Sequence, residues 1–240
     1  MIDIIKGFIC GSEIAEIDQL NKNNKDLRDI LTKKNTTSAE ENYWNLKWPK
    51  TIIRYKSQGK VYRDVRTLIN YPSYLADEIV KTKRLKKDTE DKTILAILKW
   101  IVTNYHYRFD INNPVFGGKF AEFWMDSDIA IQMKYRDCED NAILLKALSL
   151  AAGVPDYKVH VIAGWVKDPS NPKGKVGHAY PTYIFEGKEY IVDPTYYPDY
   201  RTTFDKRKTL QEDPRYNPIK NSIWWCFTKD FCFGRKQVTL

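Results

Sequence analysis

Cys138 lies in YRDCEDNAILL, where a thiol meets the first turn of an expected helix. A sulfur there points into the positive end of the helix dipole, which favours thiolate. Asp137 fits the N-cap, with Asp140 three residues on in the manner of a capping box. The carboxyls of Asp137, Glu139 and Asp140 oppose a thiolate, so position alone does not activate the sulfur and a base is required. His178, in Gly177-His178-Ala179, opens an expected strand after a loop rich in Gly, Pro and Lys. His160, mid-strand, and His106, just past a helix, read as structural or exposed. Asp193, in IVDPT, falls on the next expected strand, and a turn at Glu186-Gly187 sets it beside His178. A carboxylate in that place can fix the tautomer and orientation of the imidazole. Cysteine at a helix start, with histidine and aspartate on paired strands, is an arrangement for nucleophilic acyl transfer.

These residues need a helix and a sheet to hold them. Residues 12 to 34 predict a helix capped by Ser12, with Ile17, Leu20, Asn24, Leu27 and Leu31 along one seam. TIIRYKSQGKVYRDV alternates around SQGK and reads as a β-hairpin. A helix is expected from Pro72 to Lys86, its basic end KTKRLKK complementing the macrodipole as a solvated face. From Thr89 to Tyr105, Ile94, Ile97, Leu98, Ile101 and Val102 share a helical face. NNPVFGGKF breaks the pattern. The Cys138 helix runs through Ala142, Leu145, Leu148 and Ala152 to Gly153, and three strands follow: YKVHVIAGWV, HAYPTYIF and KEYIVDPT. SIWWCFTKDFCF is a final strand or an aromatic anchor. Helices first and antiparallel strands afterwards make the fold class α+β.

YRDCEDNAILLKALSLAAGVP and GHAYPTYIFEGKEYIVDPT resemble the core of the transglutaminase-like superfamily, its bacterial transglutaminase-like cysteine peptidases above all. ILAILKWIVTNYHYRFD resembles the segment that leads to the active site in that family. The resemblance covers roughly residues 90 to 197. It implies a papain-like fold, in which a helical part carrying the cysteine packs on an antiparallel sheet carrying His and Asp. It implies Cys138 as nucleophile, His178 as general base and then acid, and Asp193 as orienting carboxylate. It also implies acyl transfer on an amide through a thioester, with the Cys138 backbone N–H as one oxyanion donor. Gln132 has the spacing of the papain-type oxyanion glutamine, and Trp124 is a rival donor. Two departures stand out: Arg136 occupies a position that is usually Gly, and Tyr180 one that is commonly Trp.

On this reading residues 1–45 form an N-terminal helical arm and 46–88 a hairpin and helix leading into the core. The core spans 89–197, and 198–240 form an aromatic C-terminal extension. The substrate is a protein or a peptidoglycan-type amide. A rival reading is a structural or adaptor component of a larger assembly, such as a virus particle. There the N-terminal helix and C-terminal tail mediate oligomerisation and the fold serves as scaffold.

The 240 residues carry 39 Lys+Arg against 31 Asp+Glu, a formal +8 at pH 7. Apolar content of 42% with 29% charged residues excludes wholesale disorder. No apolar run reaches the roughly 18–20 residues of a membrane span. The opening MIDIIKGFICGSEIAE lacks the basic head and long apolar centre of a secretory signal, which predicts cytoplasmic synthesis and, in the rival reading, a virion location. Asp126, Asp128, Asp137, Glu139 and Asp140 outnumber Lys134 and Arg136 beside the nucleophile, so the positive surplus belongs to outer surfaces and nucleic acid is not an expected partner. Cys10, Cys226 and Cys232 have no His/Asp pattern nearby and read as packing residues. Trp224, Trp225, Phe227, Phe231 and Phe233 read as core. No Cys/His spacing predicts zinc and no acidic loop of ligand spacing predicts calcium, so neither metal nor cofactor is expected.

Overall fold

The structure, a computed structural model, describes residues 54–57, 61–114, 122–168, 174–216 and 223–234. The expected N-terminal arm and Cys10 lie outside them. Strands β1 (Arg54–Ser57) and β2 (Val61–Asp64) pair antiparallel as the predicted hairpin. Helix α1 (Tyr74–Thr82) is capped by Ser73, whose hydroxyl accepts the Ala76 N–H. Helix α2 (Glu90–Asn104) buries Ile94, Ile97, Leu98 and Ile101, the face that its periodicity marks. Three short elements were not legible in the pattern. They are the parallel two-residue strands β3 (His106–Tyr107) and β4 (Tyr135–Arg136), and the single-turn helix α3 (Ser127–Gln132).

Helix α4 (Cys138–Ala151) is buried from Glu139 to Leu150, polar residues included. A helix enclosed on every side belongs at the centre of a domain. It packs on β5 (Val159–Lys167) and β6 (Lys175–Phe185) and against α1, α2 and α3. It ends at Gly153, whose φ of +88° suits a residue without Cβ. β6 turns into β7 (Lys188–Ile191) through Glu186 and Gly187, both at positive φ (49° and 71°), as a two-residue hairpin turn requires.

The sheet order is β7-β6-β5-β8-β9, with β8 Ile223–Phe227 and β9 Cys232–Gly234. β8 is the antiparallel neighbour of β5 and completes the sheet. The physical reason is that β5 is buried along nearly its whole length, so its open edge needs a partner. A bulge pairs Ala163 with Trp225 and Gly164 with Ile223, which leaves Trp224 as the extra residue. Trp225 and Phe227 are buried core, while Trp224 is half-buried at its rim. Cys226 and Cys232 are buried in the sheet, as packing residues should be. Among the described residues, no helix is long and apolar enough to cross a membrane.

Candidate active site

The position of Cys138 is set by α4 and that of His178 by β6. Cys138 is the first residue of α4 and is half-buried, with the flanking loop fixed by the β3–β4 pairing and by the Arg108 N–H donating to the Arg136 carbonyl. His178 lies on β6 opposite Gly164 of β5, and its side chain is buried. Asp193 follows β7 and is also buried. Its Oδ2 meets His178 Nε2 at 2.7 Å, which leaves Nδ1 as the other ring nitrogen.

Burial works against a charged imidazole here, but the charge and hydrogen bond of Asp193 outweigh it. With a further hydrogen bond to Cys138, they raise His178 to about 10. The Cys138 thiol is thus one of the groups that raise the ring. Burial also opposes ionisation of Asp193, yet His178, the Tyr216 hydroxyl and the Thr195 N–H hold its carboxyl below the ordinary range. The structure thus brings Cys138, His178 and Asp193 together. His160 is buried on β5 and held neutral, pushed by burial and Lys146 down to about 3, whereas His106 is exposed on β3.

The entry to α4 departs from expectation. Asp137 occupies the N-cap, but its side chain makes no capping hydrogen bond, and Asp140 accepts the Met125 N–H. Asp137 and Glu139 turn inward. Their carboxylates and that of Asp110 bring one oxygen each within 4.8 Å of one another, with all three side chains buried. Asp110 Oδ1, Asp137 Oδ1 and Glu139 Oε1 have no hydrogen-bond partner. Spacing along the chain did not suggest a metal site, because Asp110 arrives from a distant segment. In space this trio could hold a hard cation. Burial, then neighbouring acidic groups, raise Asp137 to about 10 and Glu139 well above its ordinary value. Burial thus disfavours charge on both, and the surroundings of the thiol are less negative than the sequence counts. Cys138 Sγ donates to Glu139 Oε2 at 3.2 Å.

The two unusual residues find structural roles. Arg136 is fully buried, with its guanidinium 3.2 Å from the Tyr105 ring centre and Nη1 donating to the Ala130 carbonyl at 2.8 Å. The loop thus absorbs a large side chain two residues before Cys138. Tyr180 stacks on the His178 ring at 5.8 Å.

Neither side-chain oxyanion candidate is aimed at the thiol. Gln132 is exposed, and its amide donates to the Asp128 carbonyl of its own helix. Trp124 packs on the same cluster as Cys138 and on Trp225, but its indole N–H is taken by Glu122 at 3.0 Å. Of the donors considered, the Cys138 backbone N–H remains the natural one, since first-turn amides lack carbonyl partners within the helix.

Three residues at the site escaped the sequence reading. They are Asp110, Tyr216 and Tyr196, whose ring lies 4.5 Å from that of His178. Only Asp110 left a signal, as the acidic end of YHYRFD. Tyr196 also opens a cavity of about 510 Å³ shared with Tyr197, Pro198, Asp199, Tyr200 and Arg201.

A family model described as a transglutaminase-like domain matches residues 78–212, more than half of the chain. No curated protein matches. Among solved structures, LapG of Legionella pneumophila aligns at 19% identity and a TM-score of 0.44, over 68% of this chain and 75% of that one. Its calcium-bound form gives the same figures. A structure described as a candidate cysteine protease from Cytophaga hutchinsonii aligns at 18% identity and a TM-score of 0.38, over 76% and 61% of the two chains.

Proposed function

The chain belongs to the transglutaminase-like domain family, and on that premise we propose that it is a thiol enzyme of cysteine peptidase type, acting on amide bonds of a protein substrate. The observation that carries this reading is a buried imidazole held at Nε2 by Asp193, with the Cys138 thiol among the groups that act on it. Proton transfer from Sγ to the imidazole gives a thiolate–imidazolium pair. The sulfur attacks the substrate carbonyl carbon, the C–S bond forms, and the oxyanion takes the Cys138 N–H. The tetrahedral centre collapses, the C–N bond breaks, and His178 gives its proton to the leaving amine. Water, or an amine in a cross-linking reaction, loses a proton to His178 as it attacks the thioester and regenerates the thiol. Asp193 stays ionised throughout and holds the ring.

Alkylation tests this directly. At neutral pH, iodoacetamide is expected to modify Cys138 at least about tenfold faster than Cys226 and Cys232, and His178→Ala removes that advantage. Site-resolved mass spectrometry reads both. Uniformly slow labelling would sink the reading.

A divalent cation of the calcium type also fits the site. Asp110, Asp137 and Glu139 would hold it through the buried oxygens that lack partners. When bound, it would supply charge neutralisation and tie the start of α4 to the segment after β3. At a hundredfold excess over its dissociation constant, such binding adds about 2.7 kcal/mol. For a chain of this size, that is a rise in Tm of roughly 5–10 °C. Differential scanning calorimetry with calcium chloride, against Glu139→Gln, checks it. An unchanged Tm at millimolar calcium, magnesium and manganese would remove the cation from the account.

A further inference from the structure

We infer that Tyr216 is a positioning residue of this site, its phenol O–H holding the Asp193 carboxylate by the same oxygen that receives the His178 ring. The inference rests on the reading of Cys138, His178 and Asp193 given above and adds a fourth residue to it. Tyr216 lies beyond the residues 78–212 that the family match covers. Its hydroxyl donates to Asp193 Oδ2 at 2.7 Å, the same distance at which His178 Nε2 meets that atom. Asp193 Oδ1 accepts the Thr195 N–H at 2.8 Å, so three donors converge on one buried carboxylate.

Packing alone does not account for the hydroxyl. The Tyr216 ring is buried against Tyr180, with ring centres 4.7 Å apart, and a phenylalanine would fill that space equally well. The O–H is the atom that needs Asp193. Burial, and then the charge of Asp193, keep the phenol protonated well above its ordinary pKa, so it can only donate to the carboxylate. The segment is anchored on both sides. The Lys167 N–H at the end of β5 donates to the Arg215 carbonyl, and the Arg215 guanidinium lies 5.0 Å from the Tyr196 ring centre while donating to the Tyr196 carbonyl.

The consequence is electrostatic. A donor on Oδ2 stabilises the carboxylate and draws electron density away from the bond to Nε2, which limits how strongly Asp193 raises the basicity of the imidazole. An imidazole that is too basic returns its proton to a leaving amine poorly. The other groups facing the pair are Cys138 from α4, Tyr180 from β6, and Tyr196 from the loop after β7, with Arg215 beside Tyr196 and Tyr216.

The full chain with ¹⁵N-labelled histidine provides the test, since three histidines give few ring signals to assign. Tyr216→Phe removes the O–H and keeps the ring. It is expected to move the His178 titration to higher pH. Tyr180→Phe, which removes a neighbouring phenol that does not bond Asp193, should leave the titration in place. Global 3-fluorotyrosine, a stronger donor, shifts it downward and serves should Tyr216→Phe fail to fold. A ring titration identical in wild type, Tyr216→Phe and fluorotyrosine protein would overturn the inference even if Tm fell, because Tyr216 would then only pack. If instead Cys138 of the wild type reacts no faster than the other thiols, the reading of the nucleophile fails. The ring titration then decides the role of Tyr216 by itself.

Discussion

Asp193→Ala is expected to lower the unfolding free energy by about 3–5 kcal/mol, the usual cost of removing one partner of a buried charge pair. It should also slow iodoacetamide alkylation of Cys138 on the order of a hundredfold at neutral pH. The substitution strands the imidazole, the Tyr216 hydroxyl and the Thr195 N–H, all of which converge on that carboxylate. Asp193→Asn keeps the shape and removes the charge, so it should recover part of the stability and little of the reactivity. The stability gap between wild type and Asp193→Ala has a defined pH window. His178 is raised from 6.5 to about 10, so its contribution is complete below about 6.5 and fades as pH rises towards 10. Asp193 is lowered from 3.8, so its contribution is present above that value and is lost as pH falls below it. Urea unfolding across this range should therefore find the largest gap between about pH 4 and 6.5. A gap under about 1 kcal/mol with unaltered alkylation would show that the pair neither supports the fold nor prepares the thiol.

Lys146→Ala should cost a similar amount, about 3–5 kcal/mol, although Lys146 touches no reacting atom. Lys146 is fully buried on α4, and its Nζ meets Asp156 Oδ1 at 2.7 Å and the Asp156 carbonyl. The same carboxylate accepts the Lys229 and Asp230 N–H groups of the turn between β8 and β9. One ion pair therefore ties α4 to the strands that close the sheet. Burial pulls Lys146 below its ordinary pKa against the opposing charge of Asp156, while Asp156 is held below its own by Lys146, Thr228 and the turn. Without Lys146 the Asp156 carboxylate keeps only the Thr228 hydroxyl and the N–H groups of the turn, and gains a proton more readily. The loss should thus shrink as pH falls towards 4. Thermal unfolding at pH 5 and pH 8 reads this, and an equal loss at both would mean that the variant leaves only a cavity behind.

Much of this protein was legible along the chain because the signals are local. Apolar positions three and four apart marked α2 and α4, the Glu186-Gly187 pair marked the turn, and that turn sets Asp193 beside His178. Capping was misread because an N-cap aspartate is recognised by type, whereas its side chain chooses between the helix amides and whatever else lies near. Here Asp137 turns to Glu139 and Asp110. Gln132 had a suggestive spacing, but its exposed amide found a carbonyl in its own helix first.

The sequence by itself determined the family, the α+β class and the residue types fit for thiol chemistry, since each depends on motifs or periodicities within a short stretch. Only the tertiary structure decided which distant groups share the site. β8 enters beside β5, Tyr216 reaches Asp193, and Asp110 joins Asp137 and Glu139 through contacts between segments far apart in the chain. The charge around Cys138 was also a tertiary decision. Seven formal charges between residues 126 and 140 can be counted from letters, but burial sets whether Asp137 and Glu139 carry theirs.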